Sequence, residues 1–175
     1  MASLPDGLMA IGVVRSSRTD LAHTPVQSSL NADEIGTIEL NPAYADGLDG
    51  LAEFDYDWLL TWLDRNDRRV PPPMRQVPFL LRRQPKEVGV FATRGPRRVN
   101  PLGLSLIRVV EVSGAVVRFG GVDLVDGTPV VDLKPYVSAL DRPPGVQRCG
   151  WFDQITLPLG ATPASLDPPG SPGGQ

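Results

Sequence analysis

Cysteine and histidine are almost absent from this sequence, which contains only Cys149 and His23. One cysteine cannot form an intrachain disulfide, so nothing in the sequence requires an oxidising compartment. One Cys and one His also cannot supply the four ligands of a structural zinc site, and no metal is expected. We expect Cys149 to be a small buried hydrophobic residue. His23 precedes Thr24-Pro25 and is expected to be a loop residue.

Long hydrophobic runs are absent as well. The first residues, MASLPDGLMAIGVVRS, show no basic leader, and their apolar run is much shorter than the roughly 18 residues of a membrane span. We therefore expect a cytoplasmic protein that makes no membrane contact. The chain has 175 residues and 41% hydrophobic content. It suits one globular domain, because a chain of about 150 residues buries roughly 70% of the surface that its unfolded form exposes.

The net charge is small, at −3 with a pI of about 5.1. This balance argues against non-specific coating of nucleic acid, because that affinity comes from Lys and Arg displacing counterions. The basic residues are unevenly placed, however. The segment 65–98 contains 10 of the 17 Lys and Arg residues and only two acidic ones. For Arg68, Arg69, Arg82 and Arg83 in this segment, solvated surface and RNA contact remain equal alternatives.

Helical periodicity is scarce, whereas short apolar and β-branched segments are frequent. Segments 8–16, 35–40, 56–65 and 87–94 are predicted as strands, and 104–125 as a hairpin around Ser113-Gly114. Glycines limit 43–54 to a short helix or turns, and prolines make 69–79 a surface loop. Many short strands at regular spacing are typical of an all-β barrel or sandwich. We place the folded domain at 1–158, followed by a Pro/Gly-rich disordered tail at 159–175.

The stretch GVDLVDGTPVVDLKPY (121–136) places charged residues among valines and leucines. It is predicted as a strand, a tight turn at 126–129 and a second strand, with Val122, Leu124 and Val130 facing inward. Charges beside apolar surface need partners or a ligand. For Asp132, the alternatives are a cap at the strand end or a pair with Lys134 on the same face.

Three ordered blocks carry a family resemblance: IGVVRSSRTDLAHTPVQ (11–27), GVFATRGPRRVNPLGLS (89–105) and the stretch 121–136. Together they resemble the TrmO/TsaA family, S-adenosylmethionine-dependent methyltransferases that act on N6-threonylcarbamoyladenosine beside the tRNA anticodon. The resemblance implies a single-sheeted antiparallel β-barrel with short helices that works as a homodimer. It implies that the substrate is position 37 of tRNA. The alternatives are a small-molecule methyl acceptor and a non-catalytic S-adenosylmethionine- or RNA-binding module.

The resemblance also implies site residues by position. The chemistry suits these residue types, because a guanidinium binds a carboxylate bidentately and short acceptors suit ribose and adenine. Contacts to S-adenosylmethionine are expected from Gln27, Ser28, Ser29, Asp64, Arg65, Arg94, Leu104, Gly120, Gly121, Val122 and Asp123. Substrate contacts are expected from Arg97, Arg98 and Asn100.

Methyl transfer to an amide-like nitrogen benefits from a base. Asp126 is the first candidate for this base and Tyr136 the second, with Lys134 expected to close the same pocket. Family members usually carry histidine at the positions of Tyr56 and Asp64, so both imidazoles are absent here. They usually carry proline where this chain has valine in RRVNP (97–101).

Overall fold

The computed structural model describes residues 4–65, 72–83, 85–156 and 158–168. Within these ranges the regular structure consists mainly of strands with short 3₁₀ segments and two single-turn helices. The strands are β1 Gly12–Arg15, β2 Ile35–Leu40, β3 Tyr56–Trp62, β4 Arg75–Gln76, β5 Val88–Gly89, β6 Leu102–Ser113, β7 Val116–Gly120 and β8 Pro129–Pro135. The helices are α1 Ser138–Asp141 and α2 Pro163–Leu166. The 3₁₀ segments are Leu21–His23, Ser28–Leu30, Pro42–Leu48, Leu51–Glu53, Phe79–Leu81, Val90–Ala92 and Gly150–Gln154.

Six of the strands close into a barrel in the order β1-β2-β7-β6-β3-β8, with β1 also pairing with β8. Every pair in the barrel is antiparallel. The predicted all-β antiparallel barrel is therefore confirmed. Closure satisfies the backbone groups that an open sheet would leave unpaired at its edges. Within the described ranges, β4 and β5 pair only with each other, outside the barrel.

The barrel interior is filled by side chains that alternate along the strands. Val14, Ile38, Leu59, Ile107 and Val117 are completely buried there, one each from β1, β2, β3, β6 and β7. Burying each such side chain stabilises the fold by about 1.5–3 kcal/mol. The predicted inward positions in the stretch 121–136 are also confirmed, because all three belong to this core.

Several element predictions agree with the structure. Segment 35–40 is β2, segment 56–65 contains β3, and the hairpin turns between Ser113 and Val116. Gly114 in that turn has a φ of 58°, a conformation that glycine adopts without steric cost. The segment 43–54 forms 3₁₀ turns, as its glycines predict.

The prediction of a strand over 87–94 was largely wrong. Only Val88–Gly89 is a strand, and Val90–Ala92 is a 3₁₀ turn. The turn is closed by hydrogen bonds that a strand could not make, because Thr93 Oγ1 donates to Val90 O at 2.8 Å. Arg98 Nη2 donates to Val90 O and to Thr93 O at 2.9 and 2.8 Å.

The strand predicted before the turn at 126–129 was also wrong, since β7 ends at Gly120 and β8 begins at Pro129. The backbone leaves the sheet at Gly121, whose φ is 96°. Asn31 Nδ2 then donates to Val122 O at 2.8 Å and holds the chain as an irregular loop. A turn does follow, with Gly127 at a φ of 78°.

Two C-terminal features were not foreseen. Cys149 is exposed rather than buried, so that prediction was wrong. Within the predicted tail, α2 begins with a capping box formed by Thr162 and Ser165. Leu166 in this helix is buried against Leu30. Residues 169–175 lie outside the described residues, as do Arg68, Arg69 and Pro71. No helix in the described ranges is long and apolar enough to cross a membrane.

Candidate functional site

The predicted cofactor residues gather at the end of the barrel where β3 finishes and β6 begins. The loop 121–128 crosses this end before entering β8. At Gly121, an added Cβ would lie 3.3 Å from Ser28 Cβ and 3.7 Å from Leu106 O. Only glycine combines the positive φ with so close an approach. The segment around Ser28 is therefore pressed directly against the loop.

Asp123 is the residue at this end of the barrel on which several polar contacts converge. Ser105 Oγ donates a hydrogen bond to Asp123 Oδ1 at 2.7 Å, and the backbone N–H of Ser28 also donates to this carboxylate. Burial raises the pKa of Asp123 to about 6, although both hydrogen bonds and the charge of Arg94 act in the opposite direction. The hydrogen bonds and the charge of Arg94 therefore do not fully offset the cost of burying an ionised Asp123.

Arg94 reaches the same place from the loop that precedes β6. Its Nη2 lies 3.5 Å from Leu104 O, and its charge acts on Asp123. The arginine side chain is exposed, and Leu104 is also open to solvent at 49% exposure. A guanidinium in this position is free to bind an anionic group of a ligand.

A second group of residues surrounds the turn before β8. Asp126 Oδ1 accepts from Ser16 N at 3.2 Å, and Arg15 Nη1 lies 3.8 Å from Asp126 Oδ2. Arg65 comes from the end of β3, and its Nη2 would lie 3.0 Å from a Cβ added at Gly127. Two guanidinium groups therefore flank the Asp126-Gly127 turn.

A hydrogen-bond network around Glu34 supports the loop 121–128. Glu34 binds the guanidinium of Arg18 through three contacts and accepts from Ser17 Oγ at 2.7 Å and Asn31 Nδ2 at 2.6 Å. Arg18 is the main reason that the pKa of Glu34 falls to about 2. Because Asn31 also holds Val122 O, this ion pair supports the backbone beside Asp123.

A cavity of about 300 Å³ opens beside Arg94, and we call it the arginine cavity. Trp151 Nε1 donates to Ala92 O at 2.8 Å, and the Trp151 ring stacks on Phe152 with centroids 3.8 Å apart. The described residues that line it are Val26, Gln27, Pro73, Arg75, Gln76, Val77, Pro78, Phe79, Leu80, Arg82, Arg94, Gly95, Pro96, Arg97, Trp151 and Phe152.

Lys134 and Tyr136 are not brought to this end. Lys134 pairs with Trp58, and Tyr136 N donates to Tyr56 O at 3.0 Å, both at the start of β3. With roughly 3.3 Å per strand residue, Lys134 lies up to roughly 26 Å along the chain from Asp126. Lys134 Nζ instead contacts Asp132 Oδ2 at 2.8 Å. This contact confirms the pairing alternative for Asp132.

The predicted substrate residues have different surroundings. Arg97 is exposed and lines the arginine cavity. Arg98 is partly buried and uses its Nη2 to hold the 90–93 turn, as described above. Asn100 is exposed, and its backbone O accepts from Leu102 N at 2.8 Å.

Ser105, Asn31 and Glu34 were missed by the sequence reasoning. Ser105 could have been found, because it ends the second matched block and faces inward on β6. Glu34 and Asn31 carried no local signal, since their partners lie 16 and 91 residues away in sequence. In the part of the chain that the structure describes, no group of three or more His, Cys, Asp or Glu side chains is arranged to hold a metal ion.

Comparison with known proteins gives consistent matches. A family model described as the tRNA-methyltransferase O N-terminal domain matches residues 13–142. A "probable S-adenosyl-L-methionine-binding protein" of Methanothermobacter thermautotrophicus is 38% identical over 141 residues, covering 81% of this chain and 97% of the relative. A mouse "tRNA (adenine(37)-N6)-methyltransferase" is 34% identical over 144 residues, covering 76% of this chain and 31% of the mouse protein.

Among solved structures, a crystal structure of TrmO from Pseudomonas aeruginosa is similar, with a TM-score of 0.65 and 30% sequence identity. The match covers 83% of this chain and 61% of the solved chain. The present chain therefore spans less than two thirds of the mouse relative and of the solved structure.

Proposed function

Because this chain belongs to the family of tRNA-methyltransferase O N-terminal domains, we propose that it methylates N6 of N6-threonylcarbamoyladenosine at position 37 of tRNA, with S-adenosylmethionine as the methyl donor. The observation that carries the proposal is the convergence of Ser28, Ser105 and Arg94 on Asp123 within the matched residues. The names of the mouse and Methanothermobacter relatives support the reaction and the cofactor respectively. A tRNA substrate also favours the cytoplasm.

The residues at this end of the barrel fit S-adenosylmethionine. Asp123 is a carboxyl group whose contacts are neutral donors and whose pKa is raised by burial. Ribose hydroxyls and a sulfonium each favour an ionised carboxylate in such a position. The exposed guanidinium of Arg94 suits the methionyl carboxylate. When bound, the cofactor supplies an electrophilic methyl group.

The other proposed cofactor residues surround these two. Gly121 leaves room for Ser28 to approach the loop, and Arg65 stands at the turn before β8. Their role is to orient the donor and to exclude water, because methyl transfer gains most of its rate from positioning. The remaining proposed contacts are Gln27, Ser29, Asp64, Leu104, Gly120 and Val122.

We assign removal of the substrate proton to Asp126. Its carboxylate is held in place by Ser16 N and lies 3.8 Å from Arg15 Nη1, and a carboxylate so positioned is a group that can accept a proton. Lys134 and Tyr136 lie at the opposite end of the same barrel. Their predicted catalytic role therefore requires a homodimer that brings them beside Asp126 of the other copy.

A homodimer is supported by apolar side chains that are exposed near the site. Phe91 is 83% exposed, Val99 57%, and Leu102 and Leu104 46% and 49%. We propose that a second copy covers them, because exposed apolar clusters mark interaction sites. Light scattering of the wild type should give twice the chain mass, and Leu102→Asp should give the monomer mass. A monomeric wild type would refute the dimer.

The test of the reaction uses methyl-labelled S-adenosylmethionine and bulk tRNA from a strain lacking this methylation. After digestion, the methylated threonylcarbamoyl nucleoside should appear. Asp123→Ala should reduce it by more than tenfold, whereas Arg118→Ala, at an exposed ion pair with Glu111 on the barrel exterior, should leave it unchanged.

The other functions give distinct results in the same assay. A small-molecule acceptor predicts cofactor binding, no labelled tRNA, and label transfer in metabolite extracts. A non-catalytic module predicts cofactor binding without S-adenosylhomocysteine from either source. Either result would contradict the proposed reaction.

A further inference from the structure

The cofactor explains only part of the composition of the arginine cavity, because Gln27 and Arg94 are the only described lining residues among its proposed contacts. Its walls carry the four arginines Arg75, Arg82, Arg94 and Arg97 and three aromatic rings, and none of the described lining residues is acidic. S-adenosylmethionine carries two positive groups and one carboxylate, so surroundings of this charge disfavour it. A phosphate group and an aromatic base are the ligand features that such a lining favours.

The ion pairs of the cavity leave part of this positive charge available. Arg82 is paired with Asp167 and lies 4.4 Å above the ring of Phe79, so it is already engaged. Arg75 makes two long contacts with Glu87, from Nε to Oε2 and from Nη2 to the backbone O, each at 3.5 Å and at an exposed position. Arg97 has no ion-pair partner among the described residues. The positive charge that remains available to a ligand therefore lies on Arg75 and Arg97. Arg94 lies between the cavity and Asp123.

The aromatic part comes from the C-terminal segment. Trp151 and Phe152 stack at an interplanar angle of 23°, and Trp151 Nε1–H is held by Ala92 O. A ring pair held in this way is a preformed stacking surface that loses little entropy on binding. Both rings lie beyond residues 13–142, so the family match does not account for them.

We propose that the arginine cavity binds one unpaired nucleotide of the tRNA anticodon loop, with its base against the Trp151–Phe152 pair and its phosphate at Arg97 and Arg75. The inference rests on the proposed function and adds to it the part of the RNA that is bound and the residues that bind it. Bases of single-stranded loops are the usual targets of aromatic side chains, and guanidinium groups bind the phosphates between them. Because Arg94 borders both the cavity and Asp123, this nucleotide would lie next to the methyl donor.

Binding is measured with the full chain, without cofactor, using a fluorescent unmodified anticodon stem-loop and a blunt duplex of the same length. Trp151→Ala should weaken stem-loop binding about 5- to 150-fold, the range that one stacked base contributes. Trp151→Phe should restore most of the affinity, because it keeps a ring and loses only the hydrogen bond to Ala92. Arg97→Ala should lower the slope of log K against log salt by about 0.7.

The controls separate this inference from a structural role and from the proposed reaction. Phe54→Ala, at the opposite end of the barrel, should bind the stem-loop like the wild type. Calorimetry of the Trp151 variants should give an unchanged affinity for S-adenosylmethionine. The inference is overturned if the wild type does not bind the stem-loop, if Trp151→Ala binds it normally, if Trp151→Phe behaves like Trp151→Ala, or if cofactor affinity falls instead. Stem-loop binding that depends on Trp151 in a protein that never methylates tRNA would keep the inference and refute the reaction.

Discussion

Ser105 Oγ lies 2.7 Å from Asp123 Oδ1, and this hydrogen bond joins the barrel wall to the loop that crosses its end. Ser105 is buried on β6, so its hydroxyl position is fixed by the strand. The carboxylate of Asp123 is thereby held toward Ser28 and Arg94. The geometry of the proposed cofactor site depends on this link between a regular strand and an irregular loop.

The affinity for S-adenosylmethionine should rise with pH through about 6. Burial raises the pKa of Asp123 to about 6, so the ionised form that the ligand needs predominates only above that pH. Arg94 lowers this pKa, so Arg94→Ala should weaken binding and move the midpoint to higher pH. Asp123→Asn should remove this transition. Calorimetry between pH 5 and 8 tests all three, and a lower midpoint in Arg94→Ala would contradict the assignment.

Asp57 should make the protein less stable at neutral pH than at pH 4. Its side chain is completely buried inside the barrel, and neither oxygen has a hydrogen-bond partner of normal geometry among the described residues. Burial raises the pKa of Asp57 to about 6, although N–H groups of Lys134 and Trp58 favour the ionised form. Because the folded-state pKa exceeds the unfolded one, stability is lost as pH rises from about 4 to about 6.

Asp57→Asn should therefore raise the free energy of unfolding by about 1–2 kcal/mol at pH 8 and have little effect at pH 4. Urea unfolding at the two pH values measures the difference. Asp33→Asn, in the turn before β2, is the control, since Asp33 is exposed. A destabilised Asp57→Asn at pH 8 would show that the ionised group has a stabilising partner.

Glu34→Gln should destabilise the protein by about 1–3 kcal/mol at pH 7. Its ion pair with Arg18 is mostly buried, at 19% and 31% exposure, and holds the pKa of Glu34 at about 2. A lowered pKa gives stability that is present above about pH 4.5 and is lost as pH falls toward 2. Thermal unfolding from pH 2 to 7 should show the wild type and variant converging at the acidic end.

Glu39→Gln is the matched control for that experiment. Glu39 also pairs with an arginine, Arg15, but both side chains are about half exposed. Exposed pairs contribute about 0–1 kcal/mol, so this variant should be nearly neutral. Equal losses in the two variants would contradict the role given to burial of the Glu34 pair.

Gly121→Ala should lower both stability and cofactor affinity. Alanine at a φ of 96° is strained, and its Cβ would push on Ser28 at 3.3 Å. Gly114→Ala in the β6–β7 turn has a positive φ of 58° with nothing within 4 Å, so it isolates the backbone strain. We expect Gly121→Ala alone to weaken S-adenosylmethionine binding, by at least fivefold. Equal binding by both variants would show that contact with Ser28 is irrelevant.

The all-β class followed from local pattern, and the barrel followed from the family resemblance. Alternating apolar residues and turn glycines predicted β2, β3 and the β6–β7 hairpin, because strand formation depends on which residues can share one buried face. The strand predictions for the segments 87–94 and 121–125 were wrong for a common reason. Each segment is apolar enough for a strand, but a side chain from outside the segment, Arg98 or Asn31, binds its backbone carbonyls and holds it in another shape.

The sequence by itself determined the all-β class, the inward positions of 121–136 and, through three short blocks, the family, whose resemblance implied the barrel. These depend on local spacing and on residue identity, which the chain carries in order. Only the tertiary structure decided that Ser105 meets Asp123, that Lys134 and Tyr136 lie away from Asp126, and that Trp151 closes a cavity beside Arg94. Those relationships arise from barrel closure and strand register, which bring together residues that no local pattern connects.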